Sequence, residues 1–278
     1  MITVRLSSRL GNQMFQYAAA RALAERRGCK VNINISAFRH PRNWSKYQLW
    51  RFSPLELFSL PLQFASNTIA ALTAKQEQQT FVMEGLGYDP AVIGLGNNTF
   101  LSGYFTSERY FIDYSWLIRS LYDLAPFLSS DDVRTIGNYS GKRTPVSIHL
   151  RRGDYLCDAL FNIGNLDHYY AKCIDEVRKI CPDALFVVVS DDPIWCRNWS
   201  ILRHVDAYVV ASGRPALCDM ALMASCAHHI IGNSTYAWWG AWLGANPDKR
   251  VFLPSRWLNK WTSSECGLSV PGWTEIEP

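Results

Sequence analysis

Between residues 146 and 253 the chain alternates almost without interruption between short apolar runs and amphipathic stretches, and this most restricts the fold. The run Val146–Leu150 precedes a helical segment from Asp167, where Tyr170, Cys173, Ile174, Val177 and Cys181 share one face and Pro182 ends the pattern. Leu185–Val189 follows, and then Asp191, Asp192 and Pro193 open a helix through Leu202, with an acidic cap and proline at the first helical position. A strand at Ala207–Val210, a helix at Pro215–Ala227, a strand at His229–Ile231, a helix at Ser234–Leu243 and a strand at Arg250–Leu253 complete the series. Five strands separated by four helices specify a parallel, doubly wound sheet, because parallel neighbours need a crossover that helices supply.

A second unit of this kind opens the chain. Ile2–Leu6 reads as a strand and Ser7–Asn12 as a tight turn. Phe15, Ala18, Ala19, Ala22 and Leu23 lie on one face of a helix over 14–27, which Gly28 stops, and Lys30–Ser36 alternates as a strand. Residues 37 to about 140 lack a clean period, although 107–121 and 129–136 read as helices. The polar stretch Asn138–Pro145 is the expected linker, which divides the chain into an N-terminal Rossmann-like domain at 1–140 and a C-terminal one at 145–278.

Composition narrows the class. Apolar residues make up 48% and charged residues 19%, which excludes general disorder. The longest apolar candidate for a membrane span, Leu57–Ala74, is broken by Pro61, Gln63, Ser66, Asn67 and Thr68. The N-terminus reads as a first strand rather than an export signal, so a cytoplasmic protein is expected, with its eight scattered cysteines as reduced, buried thiols. Charge is uneven: residues 1–51 hold ten Lys and Arg against Glu25 alone, a surplus of nine, while the remainder carries a deficit of five. An anionic partner is implied. Nucleic acid is not expected, because the positive excess lies within a complete βαβ pattern rather than on a basic arm.

Three constellations can carry chemistry. In His149-Leu150-Arg151-Arg152-Gly153-Asp154 two arginines stand where a strand leaves the sheet, the edge at which doubly wound folds bind ligands. Their guanidinium forks match phosphate oxygens, although a solvated arginine pair with Asp154 as turn residue or ion partner explains them equally well. In Gly232-Asn233-Ser234-Thr235 small polar residues end a strand and open a helix whose first amides suit a phosphate. The alternative there is a plain N-cap at Ser234 with Trp238, Trp239 and Trp242 as core. Asn12 and Gln13 present amides in the first βα turn, where Asn12 is otherwise an ordinary turn residue. No D-x-D triplet occurs, and Asp131-Asp132 and Asp191-Asp192 read as helix starts.

Taken together, RLGNQMFQYA, HLRRGDY and NSTYAWWGAWLG, in this order, resemble the bacterial α-1,2-fucosyltransferases of glycosyltransferase family 11. LSGYFTSERYF (101–111), VVSDDPIW (188–195) and DMALMASCAHHIIGN are similar to family segments, so the likeness runs from residue 9 to about 257. It implies a GT-B-like α/β fold of two Rossmann-like domains facing a cleft. It also implies metal-independent, inverting transfer of L-fucose from GDP-β-L-fucose to the 2-hydroxyl of a β-galactoside, with no cofactor and no metal. By this resemblance Arg151 and Arg152 hold the diphosphate, and Arg152 offsets charge on the departing β-phosphate. His149 lies at the guanosine or phosphate end, Asp219 meets guanine or ribose, and Asn233, Ser234 and Thr235 belong to the donor site. Asn12 faces fucose or acceptor, and Asp154 is either the general base or the residue that orders the arginines. Ser8 departs from the pattern, since many members carry glycine before the arginine. A related transferase with another nucleotide-sugar donor, and a glycan- or nucleotide-binding protein without turnover, are the alternatives. Peripheral contact with an inner membrane or a lipid-linked glycan is the expected use of the basic N-terminal portion.

Overall fold

The computed structural model describes residues 1–52, 79–140, 143–164 and 166–278. Two compact units divide at Asp123 and Leu124, upstream of the linker expected at 138–145. The reason is packing. The helix over Ser130–Ser140 runs through the first residues of that stretch, and its Asp132 is ion-paired to Arg214 of the second unit. Gly141 and Lys142 lie outside the described residues.

In the first unit, strands β1 (Ile2–Arg5), β2 (Val31–Asn34), β3 (Gln79–Val82) and β4 (Thr99–Ser102) form a parallel sheet in the order β2-β1-β4-β3. Helix α1 (Leu10–Arg26) crosses from β1 to β2 and starts earlier than the expected turn allows. Ser8 explains how: it takes the left-handed conformation at φ +65°, where glycine is usual, so the chain turns within Ser7–Arg9 and the helix begins at Leu10. Asn12 therefore sits inside the first helical turn and donates to Ser8 Oγ at 2.8 Å. Gln13 is fully buried and fully used: Nε2 donates to the Ser8 and Lys46 carbonyls, while Oε1 accepts from the Gln48 and Leu49 amides. Buried Gln16 likewise joins Ser7 to the Gly103 carbonyl. Five alanines (Ala18, Ala19, Ala20, Ala22, Ala24) let most of the remaining surface of α1 pack closely. The helix expected over 107–121 is broken into two single 3-10 turns, Glu108–Tyr110 and Ile112–Tyr114, before α2 (Ser115–Leu121). Tyr110 is held there by its hydroxyl, which accepts from the Asp89 amide and donates to the Gly87 carbonyl.

The second unit contains α3 (Ser130–Ser140), β5 (Thr144–Leu150), α4 (Leu166–Ile180), β6 (Ala184–Ser190), α5 (Pro193–Arg197), β7 (Ala207–Val209), α6 (Ala216–Ala224), β8 (His228–Ile231), α7 (Thr235–Leu243) and β9 (Val251–Pro254). A two-strand antiparallel hairpin follows, β10 (Arg256–Leu258) with β11 (Trp261–Thr262), and then β12 (Thr274–Ile276). The main sheet is parallel throughout in the order β12-β9-β8-β5-β6-β7. Thus the doubly wound arrangement holds, with β12 added at one edge. In β5 the run Val146–Leu150 is buried, as is all of β6 up to Val189, as expected of central strands covered on both faces. The tryptophans of α7 are core: Trp238 and Trp239 are fully buried and Trp242 nearly so. Among the cysteines, 173, 196, 226 and 266 are buried, Cys29, Cys181 and Cys218 are half-buried and Cys157 is exposed, so burial is only part of their pattern; none of the eight forms a disulfide. No described helix is long and apolar enough to cross a membrane, and residues 57–74 lie outside the described set.

Candidate active site

Strand β5 runs parallel to β6 with Leu150 level with Ser190. Continuing that register past the sheet edge sets Arg151 and Arg152 opposite Asp191 and Asp192, and the side chains pair accordingly. Arg151 NH1 lies 2.9 Å from Asp191 Oδ2, and Arg152 Nε lies 3.3 Å from Asp192 Oδ2. Asp191 Oδ1 also accepts from the Arg152 backbone amide at 2.9 Å. Asp192 does cap α5, accepting from the Trp195 amide at 3.1 Å, so the acidic pair is a helix start and an arginine clamp at once.

The two arginines are not equivalent. Arg151 is engaged on all three nitrogens, because Nε and NH2 both donate to Asp154 Oδ1, at 3.0 and 2.6 Å, while NH1 meets Asp191. Of the two roles considered for Asp154, the contact present is the ordering one. Arg152 uses only Nε, and its terminal nitrogens make no hydrogen bond among the described residues. Its guanidinium carbon lies 3.5 Å from the centroid of the Trp195 ring. That leaves one planar, charged fork for an acceptor with two adjacent oxygens, such as phosphate.

His149 ends β5 just inside the arginines and is 5% exposed. Burial, aided by the Arg151 charge, pushes its ring down to about 3, so it is neutral across the working range. Its carbonyl accepts from the Tyr170 hydroxyl at 2.7 Å and the Gly232 amide at 3.1 Å. Its ring lies 5.5 Å from that of Tyr236, and Nδ1 has no hydrogen-bond partner among the described residues. A neutral imidazole with one uncommitted nitrogen can donate or accept without adding charge.

Strand β8 brings Asn233, Ser234 and Thr235 beside this end of β5. Asn233 spends both amide hydrogens on carbonyls, those of Phe161 and Trp257, and so ties the loop after Arg152 to the β10 hairpin. Ser234 occupies the N-cap position of α7, yet its side chain makes no capping hydrogen bond, so the cap read from the sequence is positional only. Asp219 on α6 accepts from Arg214 Nε at 2.7 Å, and the same guanidinium holds Asp132 through NH2 at 2.8 Å. Burial raises the Asp219 carboxyl despite Arg214, whereas at Asp132 the hydrogen bonds from Arg214 and Ser129 outweigh burial and lower it. His149, Arg151, Arg152, Asp154 and the residues 233–235 thus gather at one sheet edge, with Asp219 joined through Tyr236, whose hydroxyl bonds the Ala216 carbonyl of α6. Asn12 belongs to the first unit.

Sequence reasoning missed Asp191, Asp192, Trp195, Tyr170, Tyr236 and Arg214. The signal for the first two was present: HLRR and VSDD end neighbouring parallel strands at the same height, which a register argument would have matched. Tyr170 was read as core only, which its burial bears out without its hydroxyl contact.

The sequence profile of glycosyl transferase family 11 matches residues 1–277. An α-1,2-colitosyltransferase of Escherichia coli is 26% identical over all of this chain and 99% of its own length. The O-antigen biosynthesis glycosyltransferase WbnK of the same species is 27% identical over 98% and 99%. A galactoside α-(1,2)-fucosyltransferase 1 of Ateles belzebuth is 28% identical over 99% of this chain and 78% of that protein. Among solved structures, the ADP-heptose LPS heptosyltransferase II of E. coli superposes with a TM-score of 0.50 at 14% identity, covering 99% of this chain and 89% of that one, a likeness of fold alone.

Proposed function

The chain belongs to glycosyl transferase family 11, and from that premise we propose that it moves L-fucose from GDP-β-L-fucose to the 2-hydroxyl of a β-galactoside in a surface glycan. The observation that carries this reading is the uncommitted fork of Arg152 at the sheet edge, one strand from the start of α7 and next to an uncharged, buried His149. A nucleoside diphosphate leaving group develops negative charge as its bond to the sugar breaks. Fixed donors aimed at that charge are commonly the largest catalytic contribution, and losing one costs about 3 kcal/mol, or roughly 100-fold in rate.

In this mechanism the acceptor hydroxyl attacks C1 and releases its proton to solvent while GDP departs from the opposite face, so the β linkage of the donor becomes α in the product. Arg152 takes the charge of the departing phosphate, and Arg151, ordered by Asp154 and Asp191, sets the local field. The amides that open α7 from Thr235 onward add the positive end of a helix, and Ser234, whose own amide bonds the Gly232 carbonyl, contributes its hydroxyl. His149 serves as a neutral hydrogen-bonding group toward the nucleotide, and Asp219 is assigned to guanine or ribose. Asn12 is retained as a candidate for fucose or the acceptor. Charge neutralisation rests on protein groups, so no divalent cation is required.

The test is GDP release from GDP-fucose with a panel of β-galactosides in EDTA. Turnover retained in EDTA and an α-1,2 linkage in the product support the reading; strict dependence on manganese, or GDP-fucose bound without transfer to any acceptor, would refute it. A second reading concerns the donor only. One relative carries colitose in its name, a sugar that lacks the 3-hydroxyl of fucose, so the GDP-linked 3-deoxy sugar belongs in the assay beside GDP-fucose and GDP-mannose. Faster transfer from it would reassign the donor and keep the reaction.

We further propose that the exposed basic and aromatic residues of the first unit meet an anionic membrane surface or lipid-linked acceptor. Part of the N-terminal charge is structural: Arg21 pairs with Glu25, Arg26 pairs with Asp113, and Arg27 donates to the Ile93 and Leu95 carbonyls. Seven basic residues stay exposed, Arg5, Arg9, Lys30, Arg39, Arg42, Lys46 and Arg51, and the last four flank exposed Trp44 and Trp50 in the sequence.

A further inference from the structure

We propose that Trp195 and Asp192 are positioning residues for Arg152: the first turn of α5 is a platform that holds this one guanidinium by an edge and a face, leaving its terminal fork for the diphosphate. The inference rests on the reading of Arg152 as a phosphate ligand given above.

Asp192 faces two ways. Oδ1 accepts from the Trp195 amide and fixes the start of α5, while Oδ2 takes Arg152 Nε. The same carboxylate therefore sets where the helix begins and where the arginine ends. The Trp195 ring lies 3.5 Å from the guanidinium carbon, a stacking contact that removes rotation out of the ring plane. A planar group held along its Nε edge and on one face has only its terminal edge and its other face left to offer. Lysine cannot be held this way, having neither plane nor fork.

The platform is anchored from behind. Trp195 packs on Trp199 at 5.4 Å, and Trp199 is nearly buried, with Nε1 donating to Asp167 Oδ1 at 2.8 Å. Trp199 in turn meets the edge of Tyr170 at 5.1 Å, the residue whose hydroxyl bonds the His149 carbonyl. Arg152 and His149, three residues apart on β5 and its exit, are thus braced through one aromatic row. Trp195 itself is half-buried: it packs against the core of the second unit and also lies against the Arg152 guanidinium.

The experiment is a double-mutant cycle read on GDP affinity by calorimetry, which needs neither the sugar nor the acceptor, and on kcat and KM for the donor. Trp195→Ala is expected to weaken GDP binding about tenfold, the scale of one lost cation–π contact, and to lower kcat further, because a loosened Arg152 is off target as charge develops. Trp195→Phe keeps a ring face and should stay within about threefold of the parent. Asp192→Asn keeps the Oδ1 cap but loses the charge, and should fall between the two with its melting temperature unchanged. The decisive result is non-additivity: Trp195→Ala should cost nothing further once Arg152 is alanine. Additive losses, or full GDP affinity and kcat in Trp195→Ala, would overturn the proposal. An Arg152→Ala protein with undiminished GDP affinity and turnover would overturn the phosphate role of Arg152 and the platform with it. Failure to turn over GDP-fucose alongside an intact cycle on GDP affinity would instead reassign the donor sugar and support the platform.

Discussion

Tyr170 donates its hydroxyl to the carbonyl of His149 at 2.7 Å, and Gly232 directs its amide to the same oxygen at 3.1 Å. The space between these groups has no room for a side chain. A Cβ at Gly232 would lie 2.7 Å from the Tyr170 oxygen and 3.2 Å from the His149 carbonyl, and the second of these is backbone that cannot swing away. Gly232→Ala should therefore cost about 1–3 kcal/mol by overpacking and displace the end of β5 that carries the arginines. Tyr170→Phe loses one bond to a carbonyl that keeps another, and should cost about 1 kcal/mol. Urea denaturation ranks the two, and an alanine variant as stable as the parent would contradict this geometry.

Acid should destabilise the protein early. Burial pushes His149 and His229 both down to about 3 in the folded chain, against an ordinary value near 6.5. The unfolded chain therefore binds more protons than the folded one between those values. Stability is complete above about pH 6.5 and falls as pH drops through it, by up to about 1.4 kcal/mol per pH unit for each histidine. His229 lies 2.8 Å from Ser147 within the sheet, and His229→Gln should flatten the pH dependence even if it lowers stability at pH 7.5. An unchanged slope between pH 7.5 and 5 would contradict the prediction.

Arg214 should matter more to stability than either of its partners' surroundings suggest. It bridges Asp132 and Asp219 and so joins α3 to α6, and Asp132 is only 5% exposed. Arg214→Met leaves that carboxylate without its cation and should cost about 3 kcal/mol at pH 7. Hydrogen bonds from Arg214 and Ser129 outweigh burial to hold Asp132 below the usual carboxylate range, so this loss should shrink as acid protonates the group. Asp219→Asn, which leaves the Arg214–Asp132 pair intact, should cost about 1 kcal/mol. Equal losses for the two variants would show that Asp132 is not the controlling partner.

Vesicles test the outer face of the first unit. Trp44 is 56% exposed and Trp50 51%, and Arg51 lies over the Trp50 ring. The protein should sediment with vesicles containing anionic lipid and not with neutral ones, each basic side chain near the surface adding about 1 kcal/mol. Arg42→Glu with Trp44→Ser should abolish this while leaving turnover on a soluble acceptor. Binding indifferent to lipid charge would leave these residues a solvating role only.

Much of the second unit could be read directly from its residues. Runs such as LFVVV (185–189) are apolar without alternation, as central strands must be, and the helices between them carry one apolar face and recognisable ends. The first unit was harder because β3 and β4 are four residues each, and in β3 most positions are exposed, so no period marks it. In β12 three residues pair with β9 only because the sheet edge is there to receive them. The Asn138–Pro145 stretch reads as a boundary because polar, glycine-bearing composition marks loops, yet the helix whose Asp132 pairs with Arg214 runs on through Ser140.

The site divides in the same way. Residue type and order alone determined that arginines would leave a parallel strand beside a helix start, and that His149 would precede them. Which arginine is free and which is fully used was decided only by tertiary structure. That outcome depends on β5 and β6 lying in register with Leu150 against Ser190, and on a carboxylate pair 40 residues downstream reaching back to clamp the arginines. Local sequence carries hydrophobic period and turn chemistry because these act over a few residues. Pairing of charges across strands depends on register, which the whole sheet sets at once.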